Sequence, residues 1–414
     1  MKKEKLTRRD FIKKATLTGA GLAAGGSLLT SLNALAQGKV YLPLILKSPA
    51  TPTPTATPTN TPTATPTTPS EPPPPPSDSR VVHVHDPNAT DWDFSTGWYG
   101  DHVDQARVND MVDQGVMALT GTSTVADAWR ALIPNYAPGE AIAIKVSFNN
   151  AWSCDDSDDR IDALIHPVNA AVRGLKHIGV AEEDIWVYEA VRRIPNRFVN
   201  GCPYNVQFFS GQDCPPLQSP GWSSDDPDAF VTFNPPSGPA PPSIRIPDVL
   251  VNAAYLINMP IIKRHVVGVS LGFKNHLGTV KYPGELHDYI RPDGSLFRTD
   301  YSPYVDIYQN PHVGAKTILT IGDGLFGSWY GYTAKPEPWT TFGDVAANSL
   351  FFATDPVALD SVMYDFLAAE TTIIDNADVY LNVAENAGLG VFEHGAPWGS
   401  GYNTIDYVKI EPPY

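Results

Sequence analysis

Between residues 80 and 414 short apolar runs recur, and amphipathic stretches with helical spacing separate them. This alternation constrains the chain more than any other feature. Arg80–His85 alternates like a strand, and Glu140–Val146, Asp184–Glu189, Thr317–Ile321 and Leu350–Ala353 are apolar on both faces, as buried strands are. Residues 250–260 and 404–410 have strand character too. Residues 104–119 put Val108, Met111, Val112, Val116 and Leu119 on one helical stripe. Helices are also expected over 125–132, 161–178 with an interruption or fresh start at Pro167, 356–369 and 377–387. Residues 194–243, rich in Pro, Gly, Ser and Asp, look like a long surface insertion. Strands alternating with helices give an α/β fold: a mainly parallel sheet with helices on both faces.

What precedes residue 80 is of another kind. Residues 1–36 begin with a basic segment, continue through a Gly- and Ala-rich apolar stretch, and end in Ala34-Leu35-Ala36, a small-x-small cleavage pattern. Thr7-Arg8-Arg9-Asp10-Phe11-Ile12-Lys13 resembles the twin-arginine export signal, an address read by a receptor. The resemblance implies export in a folded state through the twin-arginine translocase, to an extracellular, cell-surface or periplasmic place. The apolar stretch is broken by Thr16, Thr18, Ser27, Thr30, Ser31 and Asn33, so no transmembrane anchor is expected in the mature chain. Residues 37–79 form a tether dominated by Pro and Thr, too poor in apolar side chains to repay the entropy of folding. An extended, disordered spacer is expected there.

Charge narrows the partners. The formal net charge is −16, and removing a signal that carries net +5 leaves −21. An acidic surface argues against nucleic acid. The three cysteines, Cys154, Cys202 and Cys214, contain no CxxC and cannot supply four thiolates, which argues against a protein-ligated iron–sulfur cluster and leaves any other cofactor open. One disulfide and one free thiol are expected, with Cys202–Cys214 the preferred pair and Cys154–Cys202 the alternative.

Ligands of open α/β sheets sit beyond the carboxyl ends of the strands, so the residues that follow each strand are the candidates. Lys145 follows Ile142–Ile144, and Lys263-Arg264-His265 follows Ile257–Ile262. Lys274-Asn275 lies in a Gly-punctuated apolar run, where a lone ammonium needs a partner. Asp323 follows Ile318–Ile321, and Asp355 and Asp360 follow Leu350–Ala353. A basic concentration within an acidic protein suits a small anion. Lys263, His265 and Lys274 are the candidate catalytic groups, and Lys145, Arg264, Asn275, Asp323, Asp355 and Asp360 the candidate binding groups. Several have structural alternatives: Asp355-Pro356 is a standard helix start, Asp360 answers a helix dipole, and Gly322-Asp323-Gly324 is a turn signal. His83-x-His85-Asp86 could chelate a metal, but no third ligand can be placed.

These residues also carry a resemblance. Gly139–Val146, His166-Pro167 and Ile185–Glu189 look like the first half of the family called domain of unknown function 362. Ile257–His265 is similar to its "inxPklKxH", Gly272–Gly278 to its "gxxKNxxG", and Asp323-Gly324 and Asp355–Asp360 to its "Dgi" and "DPvAxDxv". The sequence departs at Arg264 and Ser147, where Thr and Asn are commoner. The resemblance implies an α/β fold and a site at Lys145, Lys263, His265, Lys274, Asn275, Asp323, Asp355 and Asp360. It supplies no reaction, and the ferredoxin-type cysteines of many relatives are missing. An enzyme acting on a small anion, a non-catalytic binding protein and a cofactor-carrying redox protein are the three functions left standing, in that order.

Overall fold

The computed structural model describes residues 78–414 apart from Ser295 and Tyr332. The twin-arginine segment and all but the last two residues of the tether lie outside the described residues. Twelve strands are present: β1 (Arg80–His85), β2 (Ile142–Lys145), β3 (Ile185–Glu189), β4 (Gln207–Ser210), β5 (Phe230–Val231), β6 (Ile244–Arg245), β7 (Tyr255–Asn258), β8 (Ile261–His265), β9 (Gly268–Ser270), β10 (Thr317–Ser328), β11 (Ser349–Ala353) and β12 (Asp406–Ile410), counted among the described residues. The helices there are α1 (Gln105–Thr120), α2 (Val125–Leu132), α3 (Ile165–His177), α4 (Asn196–Asn200), α5 (Asp248–Asn252), α6 (Gly272–Asn275), α7 (His287–Ile290), α8 (Pro303–Gln309), α9 (Pro356–Ala368) and α10 (Val379–Asn386).

The main sheet runs β12-β1-β11-β10-β7-β2-β3-β4, and the β8–β9 hairpin joins it along the second half of β10. Pairing is parallel except that β11 is antiparallel to both its neighbours, β1 and β10, and β9 is antiparallel to β8. The expected mainly parallel α/β sheet is therefore present. Alternate side chains of each strand enter different cores. Val81, Phe351 and Ala353 pack with Val357, Val362 and Phe366 of α9. Val82, Val84, Leu350 and Phe352 pack with Val108, Val112 and Val116 of α1 on the other face. Asp104 caps α1 by accepting from the amides of Ala106 and Arg107, and Gly121, at φ +68°, ends it. Gly115 lets α1 lie close on the sheet: a Cβ there would stand 2.3 Å from the ring of Phe352.

Four local expectations are corrected. Within residues 250–260 only Tyr255–Asn258 is strand, because the first apolar residues finish the short helix α5. Gly322-Asp323-Gly324 is no turn but the middle of the twelve-residue strand β10, whose glycines pack against Met363 and Phe351. The insertion at 194–243 contributes β4 to the sheet edge. Pro167 begins nothing new, since it occupies the first turn of α3, where its missing N–H costs no helical bond. No helix among the described residues is long and apolar enough to cross a membrane.

Candidate functional site

The site is assembled where β2, β3 and β7 end side by side. Lys145, the last residue of β2, stands in register with Tyr188 of β3 and Asn258 of β7. Its side chain is wholly buried, and an isolated ammonium there would cost several kcal/mol. Glu189, at the end of β3 and likewise buried, resolves this: Lys145 Nζ donates to its Oε2 at 2.7 Å, to the Val146 carbonyl at 2.6 Å and to Asn275 Oδ1 at 3.2 Å. Burial still pulls the Lys145 amine below its ordinary value, and Glu189 opposes that pull. Gly278 covers the pair so closely that a Cβ would stand 2.7 Å from Lys145 Nζ.

From this ion pair a chain of amides runs to the α6 turn. Asn275 Nδ2 donates to Asn258 Oδ1 at 2.7 Å, and Asn258 Nδ2 donates to the Gly272 carbonyl at 3.0 Å. The other end of the turn is held by Asp360 of α9, which accepts from the amides of Gly272 at 2.6 Å and Phe273 at 3.0 Å and from the Tyr380 hydroxyl at 2.8 Å. Burial raises the Asp360 carboxyl to about 6, against the pull of those three donors. A single turn of helix is too short to be stable alone. These bonds at both ends fix it and aim Lys274 outward.

Lys274 faces a cavity of about 310 Å³ beyond the carboxyl ends of β2 and β3. Its walls include Asn149, Asn150 and Trp152 after β2, Arg192 after β3, and His265 and His287. Among the described residues neither the Lys274 amine nor the Arg192 guanidinium donates to a side chain or carbonyl, and neither has an acidic partner within ion-pair distance. Burial, then the positive charges of Lys263, Arg192 and Lys145, bring the Lys274 amine down to about 7, with only Glu189 acting the other way. His265 is pushed well below its ordinary value by burial and then by Lys274 and Lys263, so its ring is neutral. Its Nδ1 accepts from the Val267 amide at 3.2 Å, which places the ring proton on Nε2. His287, edge to face with His265 at 5.9 Å, is lowered to about 4 by burial and then by Lys274. The pocket is thus cationic, with two neutral imidazoles in its wall.

Of the residues expected from sequence, His265, Lys274 and Asn275 line this pocket. Lys145 lies directly beneath it, bound to Asn275. Lys263 is fully buried behind the wall, donating to the Ile161 carbonyl at 3.4 Å with the Asp162 carboxylate as its countercharge. Arg264 alternates to the other side of β8 and donates to the Tyr330 carbonyl at 2.7 Å. Asp323 accepts from the Leu325 amide at 3.0 Å inside β10. Asp355 caps α9 through the amides of Val357 and Ala358 and also accepts from Val391. Arg264, Asp323 and Asp355 therefore stand outside the pocket, and Asp360 reaches it only by holding the turn that bears Lys274. Glu189, Arg192 and His287 were not expected. The strand-end rule applied to Ile185–Glu189 points to the first two, since Arg192 comes three residues after that strand; His287, far from any strand end, has no such signal.

The disulfide is Cys154–Cys214, with Cα atoms 5.4 Å apart, and neither pairing expected from sequence is present. Cys202 is the free thiol, half-buried just past α4 and directed at the Tyr204 carbonyl. Two chain neighbours across a Pro/Gly-rich loop looked closest, yet β4 and the segment after it carry Cys214 back to the loop that follows β2. The bridge thereby joins the Asn149–Trp152 wall to the segment behind Arg192. Among the described residues no three His, Cys, Asp or Glu side chains are grouped to hold a metal ion. His83 is instead bonded between Tyr407 and Ser349, His85 to Glu411, and Asp86 to Arg107.

An α/β fold with a cationic pocket at the ends of its parallel strands is the class this geometry defines. The family model described as "Domain of unknown function (DUF362)" matches residues 220–365. That match supports the family over the part of the chain holding Lys263, His265, Lys274, Asn275, Asp323, Asp355 and Asp360, while Lys145, Glu189 and Arg192 lie before it. No curated protein matches the chain. Among solved structures, the lactate racemase apoprotein from Thermoanaerobacterium thermosaccharolyticum is similar at 13 % identity and a TM-score of 0.36, covering 70 % of this chain and 58 % of its own. A protein from Thermotoga maritima is similar at 11 % identity and a TM-score of 0.29, covering 56 % of this chain and 53 % of its own. The chain thus spans a little over half the length of each.

Proposed function

We propose that the chain is an exported enzyme that binds a small anionic molecule in the pocket at the ends of β2 and β3 and moves protons on it. One observation carries this reading: two cationic side chains, Lys274 and Arg192, meet at one cavity without an acidic partner, in a chain of net charge −16. Elsewhere in the fold buried cations are matched, Lys145 by Glu189 and Lys263 by Asp162. Two adjacent unmatched cations repel one another, and an anion between them removes that cost. Arg192 suits a carboxylate or phosphate through paired N–H donors. Lys274, partly neutral near pH 7, and the neutral His265 are the groups placed for acid–base work. Lys263 acts through them, as a buried charge that sets their proton affinity.

The test is calorimetric titration of the folded chain with acetate, lactate, pyruvate and inorganic phosphate, and with glycerol as a neutral control. At least one anion should bind at one site while glycerol does not. An anion raises the Lys274 pKa from about 7, so binding above that pH takes up a proton. Affinity should therefore be greatest below pH 7 and fall as pH rises through that value. Saturable binding of none of the anions contradicts the reading.

The export part of the proposal rests on Thr7–Lys13 and the tether. Changing Arg8 and Arg9 together to Lys should keep the chain in the cytoplasm, read by fractionation of a host that has the translocase. Unchanged export would remove the twin-arginine address.

A further inference from the structure

We propose that Lys274 is a nucleophile that condenses with the keto group of a small 2-oxo carboxylate whose carboxylate is held by Arg192. The proposal rests on the reading of the pocket as an anion site and goes one step further, to the substrate class and the bond formed. The geometry makes the case. Most buried or half-buried lysine amines are committed to a partner, and here Lys145 has Glu189, Asn275 and a carbonyl. The Lys274 amine has no hydrogen bond among the described residues, and the residue sits on a turn pinned at both ends and keeps part of its surface open to the cavity. A cation whose task was only to bind charge would duplicate Arg192. An unbonded amine one anchor away from a carboxylate binder is instead placed to reach the carbon next to that carboxylate.

The groups that face Lys274 are Lys263 and His265 from β8, Lys145 from β2, Glu189 and Arg192 at and after β3, and His287 from α7. Five of the six are cationic or neutral bases and only Glu189 is acidic, already engaged with Lys145. This surrounding keeps a large share of the amine unprotonated at neutral pH, the condition for nucleophilic attack. In the step, the Nζ lone pair forms a bond to C2 and the C=O π pair moves to oxygen, which takes one of the two nitrogen protons to give the carbinolamine. The remaining nitrogen lone pair then forms the C=N bond as the hydroxyl departs, and that hydroxyl takes the second nitrogen proton and leaves as water. Amine and ketone become imine and water, with no oxidant or reductant consumed.

The test is reductive trapping. The folded chain is incubated with pyruvate, 2-oxobutyrate or 2-oxoglutarate and sodium cyanoborohydride, followed by intact and peptide mass spectrometry. One saturable adduct is expected, with the mass of the acid less one oxygen, mapping to Lys274. Its rate should be about tenfold greater at pH 8 than at pH 6, as the neutral amine fraction rises through an ionisation near 7. Lys274→Met should lose the adduct, and Arg192→Gln should raise the concentration of acid needed for half-maximal labelling by at least tenfold while leaving the amine in place. Labelling that is absent with all three acids, or scattered over exposed lysines and indifferent to both substitutions, overturns the proposal. Calorimetry with lactate, which has no keto group, separates the failures. Lactate binding without an imine overturns this inference and leaves the anion site, whereas absence of both overturns the two together.

Discussion

Replacing Glu189 with Gln will destabilise the fold by about 3–5 kcal/mol, the usual cost of stranding one member of a buried ion pair. The carboxylate uses both oxygens, Oε2 for Lys145 Nζ and Oε1 for the Val191 and Arg192 amides, and the amide has only one acceptor oxygen, so the variant loses an acceptor as well as the charge. Lys145 has no other carboxylate within ion-pair distance among the described residues. With Glu189 gone, its amine falls further below the ordinary lysine value. The unfolded chain then binds more protons than the folded one at every pH between the two values, so the variant gains stability as pH rises and is weakest in acid. Urea unfolding at pH 6 and pH 9 measures both effects. Adding Lys145→Met to Glu189→Gln removes the stranded charge and should recover much of the loss, because apolar replacements of buried pairs are often neutral. A loss below about 1 kcal/mol for the single variant would mean that the pair is open to water.

The second large effect is on binding. Each charged hydrogen bond to an anion contributes about 1.5–3 kcal/mol. The double variant Arg192→Gln, Lys274→Met should therefore bind its anion between about 10² and 10⁴ times more weakly than the unmodified chain. The two sites share one ligand, so the single losses will not add simply. Stability should hold or rise, because a pair of cations that repel one another has been taken out. Equal affinity in the double variant, measured by the same calorimetry, would place the anion somewhere else.

Much of the architecture was legible in the sequence because both strand and helix leave periodic marks. The α1 stripe of Val108, Met111, Val112, Val116 and Leu119 is buried as expected. Strands apolar on both faces, such as β2 and β11, are buried on both faces. What periodicity does not carry is pairing. That β11 runs antiparallel between β1 and β10 depends on long-range order, and so does the return of Cys214 to Cys154. The site was legible in part for the same reason. Strand ends pointed to Lys145 and His265, a lone ammonium in a Gly-punctuated apolar run pointed to Lys274, and the basic cluster pointed to an anion. Alternation along β8 then divided Lys263 and His265 from Arg264, since neighbours on a strand face opposite sides. Asp355 turned out to be the helix cap its Asp-Pro start suggested, and Asp360 the anchor of another element's turn. The local pattern could not say that a carboxylate in α9 would hold the amides of α6, because 87 residues separate Phe273 from Asp360.

The account stands on Lys274 being an unmatched amine that shares a pocket with Arg192. The most direct measurement is the titration of that amine by NMR, with isotopically labelled lysine and Lys274→Arg for assignment. Free protein should give a midpoint near 7, and the Arg192→Gln variant a higher one, since a repelling charge has gone. A saturating anion should raise the midpoint as well. A midpoint near the ordinary lysine value, unmoved by either the substitution or the anion, would contradict the account.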